Sequence, residues 1–536
     1  MGKNFLKSSL HNASFNIIFQ VGFRIVTFLL NAFVLRNISQ AVLGVMNVRL
    51  LLLESTILFL SREAFRRACL TRSTEHNWPQ VINLLWITVP LCIVQCIIFG
   101  AIWLYVLSAP DRSITNHYSI GVWAICVSCV LGMCVEPMYL VAQAFLFVKL
   151  RVLIESLSVS LRTIIFTCLV LWKPNAAVVA FSVAQIVGQI CYTSAYCVYF
   201  HNYINKRKQI SENKEEFPFN SLTDFLPKWI PGQPTVDIRL CTLTWSFLKQ
   251  GILKQILTEG ERYVMTLFNV LSFYEQGIYD VVNNLGSLAA RFLFRPIEES
   301  AYFYFTQLVH RDKPIRQQNE EQMAEAALVL KQLLRCVSSL GILVIFFGQS
   351  YSKLLLLFYG GKSLADSVAT VLLRTHCFAV FLLALNGTTE CFALATMNAS
   401  QINRYNQIMA YLSFGFLVIS WILTKILGSV GFIIANCCNM AARIIHSVVF
   451  IKKKYEKTKY DPLNGIVPGM YFLTSVAISG LVTLVSENLY YERSKIAHLG
   501  IGILFFLITL CIWVYEEYDL VMLGYRKYRR HSLKND

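Results

Sequence analysis

Six arginines, Arg24, Arg49, Arg62, Arg262, Arg291 and Arg295, stand in or at the ends of stretches that are otherwise apolar and of membrane length. A guanidinium keeps its charge, and its planar fork matches phosphate or carboxylate oxygens, so such a set suits a diphosphate better than a cationic ligand. Seven acids share these stretches: Glu54, Glu63, Glu259, Glu261, Glu298, Glu299 and Glu390. A charge at a helix centre costs roughly 2.5–3.5 kcal/mol on insertion scales, so each of these groups needs a partner or water. Two readings stay open for Arg24: an anion ligand, or half of an ion pair with Glu54 or Glu63. Arg262 has Glu259 and Glu261 beside it, and a local salt-bridge network competes with a ligand role. Glu63, Glu298 and Glu299 fit a charge clamp at a hinge, where Pro296 kinks its helix, or a gate that opens around substrate. Asn31, Asn47, Asn269, Asn283 and Asn386 are expected to line a polar cavity or to hydrogen-bond between helices.

The elements that must position these groups are transmembrane helices. The chain of 536 residues is 56% hydrophobic and only 15% charged, with a mean hydropathy of +0.53. Those values exclude an ordinary soluble multidomain protein. About fourteen apolar stretches, centred near residues 25, 51, 93, 130, 160, 188, 258, 288, 338, 380, 414, 440, 477 and 508, are long enough to cross hydrocarbon as helices. The second, seventh and eighth are polar enough to make the count twelve or thirteen on hydropathy alone. The net charge of +17 sits in short loops rather than in one patch with exposed aromatics, which argues for membrane orientation and against nucleic acid. Lys and Arg concentrate in loops on the side of the termini, so both termini are expected to be cytoplasmic.

Both halves open on one pattern. Arg24 and Asn31 are seven residues apart, as are Arg262 and Asn269; Asn47 and Asn283 follow, then Arg62-Glu63 and Glu298-Glu299. This repeat predicts two parallel six-helix lobes around a cavity lined by their first two spans. The expected division is an N-terminal lobe over 1–200, a cytoplasmic linker over 201–242, a C-terminal lobe over 243–460, and an extra helix pair with a basic tail over 461–536. The extra pair is placed to form a side groove. The fold class is therefore all-α and polytopic.

Catalytic and cofactor motifs are absent. There is no HExxH, nucleophile elbow or dinucleotide-binding turn, and Gly360-Gly361-Lys362-Ser363 lacks the upstream glycine of a phosphate-binding loop. Cys126 and Cys129 form a CxxC inside an apolar run without a second ligand pair, so no metal and no disulfide framework is expected. The sequons at Asn37 and Asn386 lie beside and inside a span, and neither is expected to carry a glycan. Neither enzyme chemistry, ATPase activity included, nor a cofactor is expected.

The stretches NVRLLLLESTILFLSREAFRRACL, NLLWITVPL, FVKLRVLIESLSVSLRT, QILTEGERYVMTLFNVL, YDVVNNLGSLAARFLFRPIEES, NGTTECFALA and GSVGFIIANCCNM resemble the eukaryotic "requiring fifty-three" family of endoplasmic reticulum membrane proteins. That family is related to the lipid II flippases and multidrug extruders of the multidrug/oligosaccharidyl-lipid/polysaccharide exporter superfamily. The resemblance implies two six-helix lobes with two further helices. It also implies a dolichol-linked oligosaccharide, pentamannosyl-chitobiosyl diphosphodolichol, carried from the cytosolic to the lumenal leaflet by alternating access. The alternative is a protein that binds this glycolipid without moving it and assists the lumenal mannosyltransferases. By resemblance, Arg24 and Arg262 are the cavity arginines that hold the headgroup.

Overall fold

Hydrocarbon offers the backbone no hydrogen-bond partner, so a spanning chain must satisfy its own amides, and helices do so within one segment. The computed structural model describes residues 28–71, 77–111, 117–145, 147–210, 217–232, 234–288, 290–311, 318–456, 458–518 and 522. Among these there are helices and turns and no strand. After a helical stretch over 28–37, the helices are α1 (Gln40–Leu70), α2 (Trp78–Val106), α3 (Tyr118–Cys134), α4 (Glu136–Ala144), α5 (Val148–Trp172), α6 (Ala177–Ile210), α7 (Ile238–Thr258), α8 (Gly260–Phe268) and α9 (Phe273–Gly286). They continue as α10 (Arg295–Leu308), α11 (Glu320–Gly360), α12 (Ala369–Thr396), α13 (Ala399–Leu427), α14 (Val430–Tyr455), α15 (Met470–Tyr490) and α16 (Lys495–Glu516).

Ten helices among the described residues are long and apolar enough to cross a membrane, and eleven spans result when α3 and α4, bent by 47° at Val135, are taken as one. These eleven cover eleven of the fourteen expected centres. The first centre, near residue 25, lies outside the described residues. The seventh and eighth fall on interrupted helices: α7 ends at Glu259, α8 ends at Asn269 in the left-handed conformation (φ 49°), and a wide π-type turn over Ala290–Phe294 separates α9 from α10. Charge and broken backbone coincide there, which is why neither reads as one uniform apolar span.

By packing, the chain forms two compact units, Met1–Gly277 and Ile278–Asp536. The helices α7 and α8, which follow the polar break in sequence, therefore belong with the first unit. In that unit α6 packs on α5 and α3, and α7 packs on the end of α1. In the second, α12 lies against α11, α10 and α14, around Phe305, Leu330, Leu334 and Phe392. The pair α15–α16 is fastened to α11 and α12 by Ser350–Thr483 (3.0 Å), by the ring of His498 stacked 4.4 Å from that of Tyr351, and by Arg374 on both oxygens of Glu487 (2.7 and 2.8 Å).

The polar break itself is not a loose tether. Phe217, Phe219 and Phe225 are buried against Trp78, Phe145, Phe147, Phe200 and Tyr203, with Phe219 and Phe225 stacked at 4.6 Å. Asn83 closes the fit: its amide donates to the carbonyls of Lys228 and Thr235 (2.8 and 2.9 Å), and its oxygen accepts from the Lys228 amide (2.8 Å). Loss of these bonds from a buried position costs about 1–3 kcal/mol. Asn83→Ala is expected to lower the thermal midpoint in detergent and to admit protease within residues 217–235.

In the same segment the Asp224 carboxylate is pulled below its usual value. Partial burial opposes this, but the Lys228 ammonium and the amides of Asn220 and Ser221 outweigh it. A depressed folded value means that the contribution is present above the unfolded value of about 3.9 and is lost as pH falls through the folded one. Amide exchange at 217–229, compared with that of α6, is expected to accelerate below about pH 4.

Candidate functional site

At the end of α1 nearest the basic loops, Arg66 grips Glu136 with two nitrogens, Nε to Oε1 and Nη2 to Oε2 (2.9 Å), while its guanidinium lies 3.7 Å from the Tyr139 ring centroid. Glu136 is only 1% exposed, and Arg62 Nη1 stands 4.0 Å from it. Glu136 begins α4 directly after the bend at Val135, with Pro137 inside the first turn. The acid that clamps this end is thus Glu136. Glu63 turns instead to Arg67 on its own helix (2.8 Å).

About two to three turns nearer the start of α1, polar groups cross the first unit. Glu54 accepts from Gln185 Nε2 (2.7 Å), and Gln185 Oε1 accepts from Arg162 Nη1 (2.8 Å), so the amide relays a cation to an acid. Ser55 donates to Glu259 (3.0 Å) and accepts from Gln255 (3.1 Å), Thr56 shares a hydrogen bond with Tyr263 (2.8 Å), and Glu259 also holds Arg262 (3.1 Å). The break between α7 and α8 falls at Glu259, with Arg262 in the first turn of α8.

Near the opposite end of α1 lies Arg49, 0% exposed, within a wide turn over Gly44–Leu50. Turns of this type lengthen the local hydrogen-bond ladder and recur at functional sites. Arg49 Nη2 donates to Asn269 Oδ1 (2.8 Å) and to Ser108 Oγ (3.0 Å), Ser108 in turn donates to Asn269 (2.7 Å), and the guanidinium sits 5.2 Å from the Phe273 centroid.

The second unit carries its own cluster. Arg443 Nη2 reaches both oxygens of Glu390 at 2.7 Å, and Asn386 donates to the same carboxylate (3.2 Å). Glu298 rests on Gly387, where an added Cβ would stand 1.7 Å from its Oε1, and Cys391 donates to the Glu298 carbonyl (3.2 Å). A larger residue at 387 would push the Glu298 carboxylate aside. Arg295 and Glu299 pair at 3.0 Å on the outer face of α10, 73% and 68% exposed. An apolar cavity of about 520 Å³ opens among α9, α11, α12 and α16, lined by Val344, Phe347, Phe358, Val380, Leu499 and Phe506 among others.

The expected residues are thus gathered into several stations. Arg24 and the Arg291 side chain lie outside the described residues, Asn31 is exposed on its helical stretch, Asn47 and Asn283 are half-buried, and Glu261 sits one residue before Arg262 on α8. Glu136, Arg162, Gln185 and Ser108 were not anticipated from sequence, although a lone Glu before Pro137 and a Gln inside an apolar helix were the available signals. Among the described residues no group of three His, Cys, Asp or Glu is placed to hold a metal. All sixteen cysteines are free, Cys126 and Cys129 included.

A family model described as Rft-1, Rft protein, matches residues 8–527. The chain belongs to the Rft protein family. It is 45% identical to a Drosophila melanogaster protein named Man(5)GlcNAc(2)-PP-dolichol translocation protein RFT1, over 100% of both chains. It is 44% identical to the Xenopus tropicalis protein of that name, over 95% of this chain and 94% of that one, and 43% identical to the Mus musculus protein, over 94% and 92%. The family is the one that the quoted motifs resemble. Among solved structures the fold is similar to lipid II flippase MurJ in an inward closed conformation, with a TM-score of 0.60 and 12% identity over 94% of this chain and 100% of that one. It is also similar to an inward-facing multidrug resistance MATE family transporter of the MOP superfamily, with a TM-score of 0.55 and 10% identity over 81% and 96%. The chain thus shares the fold of both.

Removing one partner of a buried ion pair strands the other, at about 3–5 kcal/mol. Glu136→Ala is expected to destabilise the detergent-solubilised protein by that order. Glu63→Ala is expected to cost less than about 1 kcal/mol, because its pair is half-exposed. Side-by-side thermal unfolding of the two variants checks the ranking.

Proposed function

We propose that this chain moves Man(5)GlcNAc(2)-PP-dolichol from the cytosolic to the lumenal leaflet of the endoplasmic reticulum membrane by alternating access, without covalent chemistry. The observation that carries this reading is the 45% identity, end to end, to a relative named for that translocation. The geometry supports it in two ways. The apolar cavity beside α11 and α16 suits a polyprenyl chain, and the arginines inside membrane-length helices suit a diphosphate. Arg62 and Arg262 are both partly exposed and each faces a carboxylate. A diphosphate oxygen is a geometric equivalent of that carboxylate, so headgroup binding exchanges one acidic partner for another at little electrostatic cost. Arg24, Arg49, Arg291 and Arg295 complete the proposed set of headgroup ligands. Glu54, Glu63, Glu259, Glu261, Glu298, Glu299 and Glu390 are the proposed gating or ion-pair acids. The lobes over 1–200 and 243–460, taken from the sequence repeat, are the proposed moving parts, with α7 and α8, which pack in the first unit, as the joint between them.

The test is reconstitution of the pure protein into liposomes with labelled glycolipid. Transbilayer movement faster than in protein-free vesicles is expected. Binding with no movement would overturn the transport reading in favour of a glycolipid-binding protein that serves the lumenal mannosyltransferases. Arg262→Ala is expected to weaken glycolipid binding about tenfold, the worth of one charge-assisted bidentate contact, with folding retained. Unchanged binding would remove Arg262 from the headgroup site.

A further inference from the structure

Arg49 is a fully buried charge with no ion pair to a described carboxylate. Burying a cation without a counter-charge is costly, and a guanidinium cannot escape by losing its proton. Yet Arg49 is 0% exposed, and its hydrogen-bond acceptors, Ser108 and Asn269, are neutral. Two of its donor atoms, Nε and Nη1, have no partner at all. The chain holds no Asp or Glu before Glu54, and Glu54 is engaged by Gln185. Arg49 forms no ion pair with any described carboxylate. Its neutral acceptors hold one nitrogen but supply no counter-charge.

The cover over this charge is thin. Ser108 and Asn269 are themselves exposed, so the guanidinium lies directly beneath two small polar side chains rather than deep in a core. One wall is rigid: at Gly44 an added Cβ would stand 2.0 Å from the Phe273 carbonyl, and at Gly277 one would stand 1.9 Å from the Gln40 carbonyl, so the backbones touch. The other wall is adaptable, since Ser108 lies just past the end of α2 and Asn269 is the left-handed residue that ends α8. The rim that can move is therefore the one bearing the two neutral acceptors. Arg49 is also thirteen residues from Arg62 on the same helix, about 20 Å along its axis, at the end away from the basic loops.

We infer that Arg49 is a covered anion site, closed by Ser108 and Asn269, that takes the phosphate oxygens of a diphosphate at the end of α1 opposite Arg62. This rests on the reading of the chain as a carrier of a lipid diphosphate and adds to it a second, far-side station. An anion that displaces the two neutral acceptors takes over Nη2, engages one of the vacant donors beside it in a bidentate contact and supplies the missing counter-charge. The closed rim is thus stable only until a diphosphate reaches it. The far-side station would then hold the headgroup after it leaves Arg62.

The test measures diphosphate binding to the full-length protein in nanodiscs, with a fifteen-carbon prenyl diphosphate and with inorganic pyrophosphate as separate probes. Asn269→Gly removes the cover and leaves the left-handed backbone unstrained. It is expected to tighten prenyl diphosphate binding about tenfold, and Arg49→Gln in the same background is expected to abolish that gain. The same gain with inorganic pyrophosphate shows that the site reads the anion alone; a gain confined to the prenyl probe shows that it needs the lipid, and either outcome supports the site. No gain in Asn269→Gly, or a gain that survives Arg49→Gln, overturns it. Should Arg49→Gln fail to fold, Asn269→Gly alone decides, through its gain or lack of one and through faster amide exchange over 44–50 on adding the probe. If the wild type binds the probe and Asn269→Gly adds nothing, the far-side station falls and the carrier reading stands. If no form binds either probe, both fall.

Discussion

The structure depends on one constraint: charges carried within helices long enough to cross a membrane must find partners there. Each unit meets it separately. In the first, Glu136 takes Arg66 and Arg62, Gln185 relays Arg162 to Glu54, and Glu259 holds Arg262 and Ser55. In the second, Glu390 takes Arg443, Glu487 takes Arg374, and Glu517 takes Arg335. A buried pair of this kind adds little net stability over a well-packed apolar pair, but it is costly to break from one side. It therefore fixes which helices meet. Arg49 is the departure from the pattern, and its neutral partners at an exposed rim mark it as a place where a charge is expected from elsewhere.

The same segments carry the irregular backbone. Wide turns interrupt α1 at Gly44–Leu50 and Phe59–Glu63, and another precedes α10 at Ala290–Phe294. The span that includes Arg262 is broken at Glu259 and ended by a left-handed Asn269. Irregular backbone at membrane depth is tolerated where it is buried in protein or faces a polar path, and a helix that must rearrange gains from a weakened ladder. Charge and irregularity together set these segments apart from α11 or α16, which are uninterrupted.

Much of this was legible in the residues. The intramembrane charges, the interrupted character of the stretches near 258 and 288, and the family all follow from spacing and motif. Residues 217–232 were harder. Their prolines and charges read as a linker, because three phenylalanines separated by polar residues show no period. Their burial depends on Trp78, Phe145, Phe147 and Phe200, which come from three other parts of the chain. Glu136 was overlooked for a similar reason: its partner Arg66 is seventy residues away, and the bend at Val135 is what aims it.

The sequence by itself determined that the chain is a helical membrane protein of the Rft family with arginines in its spans, because hydropathy, residue type and motif are local properties that need no partner to be read. Only the tertiary structure decided which arginine meets which acid and which meets none. Pairing across twenty to two hundred residues is set by helix packing, bends and close glycine contacts rather than by local pattern. The stretch from 248 to 305, which looks from sequence like one polar island, is divided by packing at Gly277. Its Arg262 is already matched at the α7–α8 break, while Arg49, unremarkable among the other arginines in the sequence, is buried with two open donors and no ion pair to a described carboxylate.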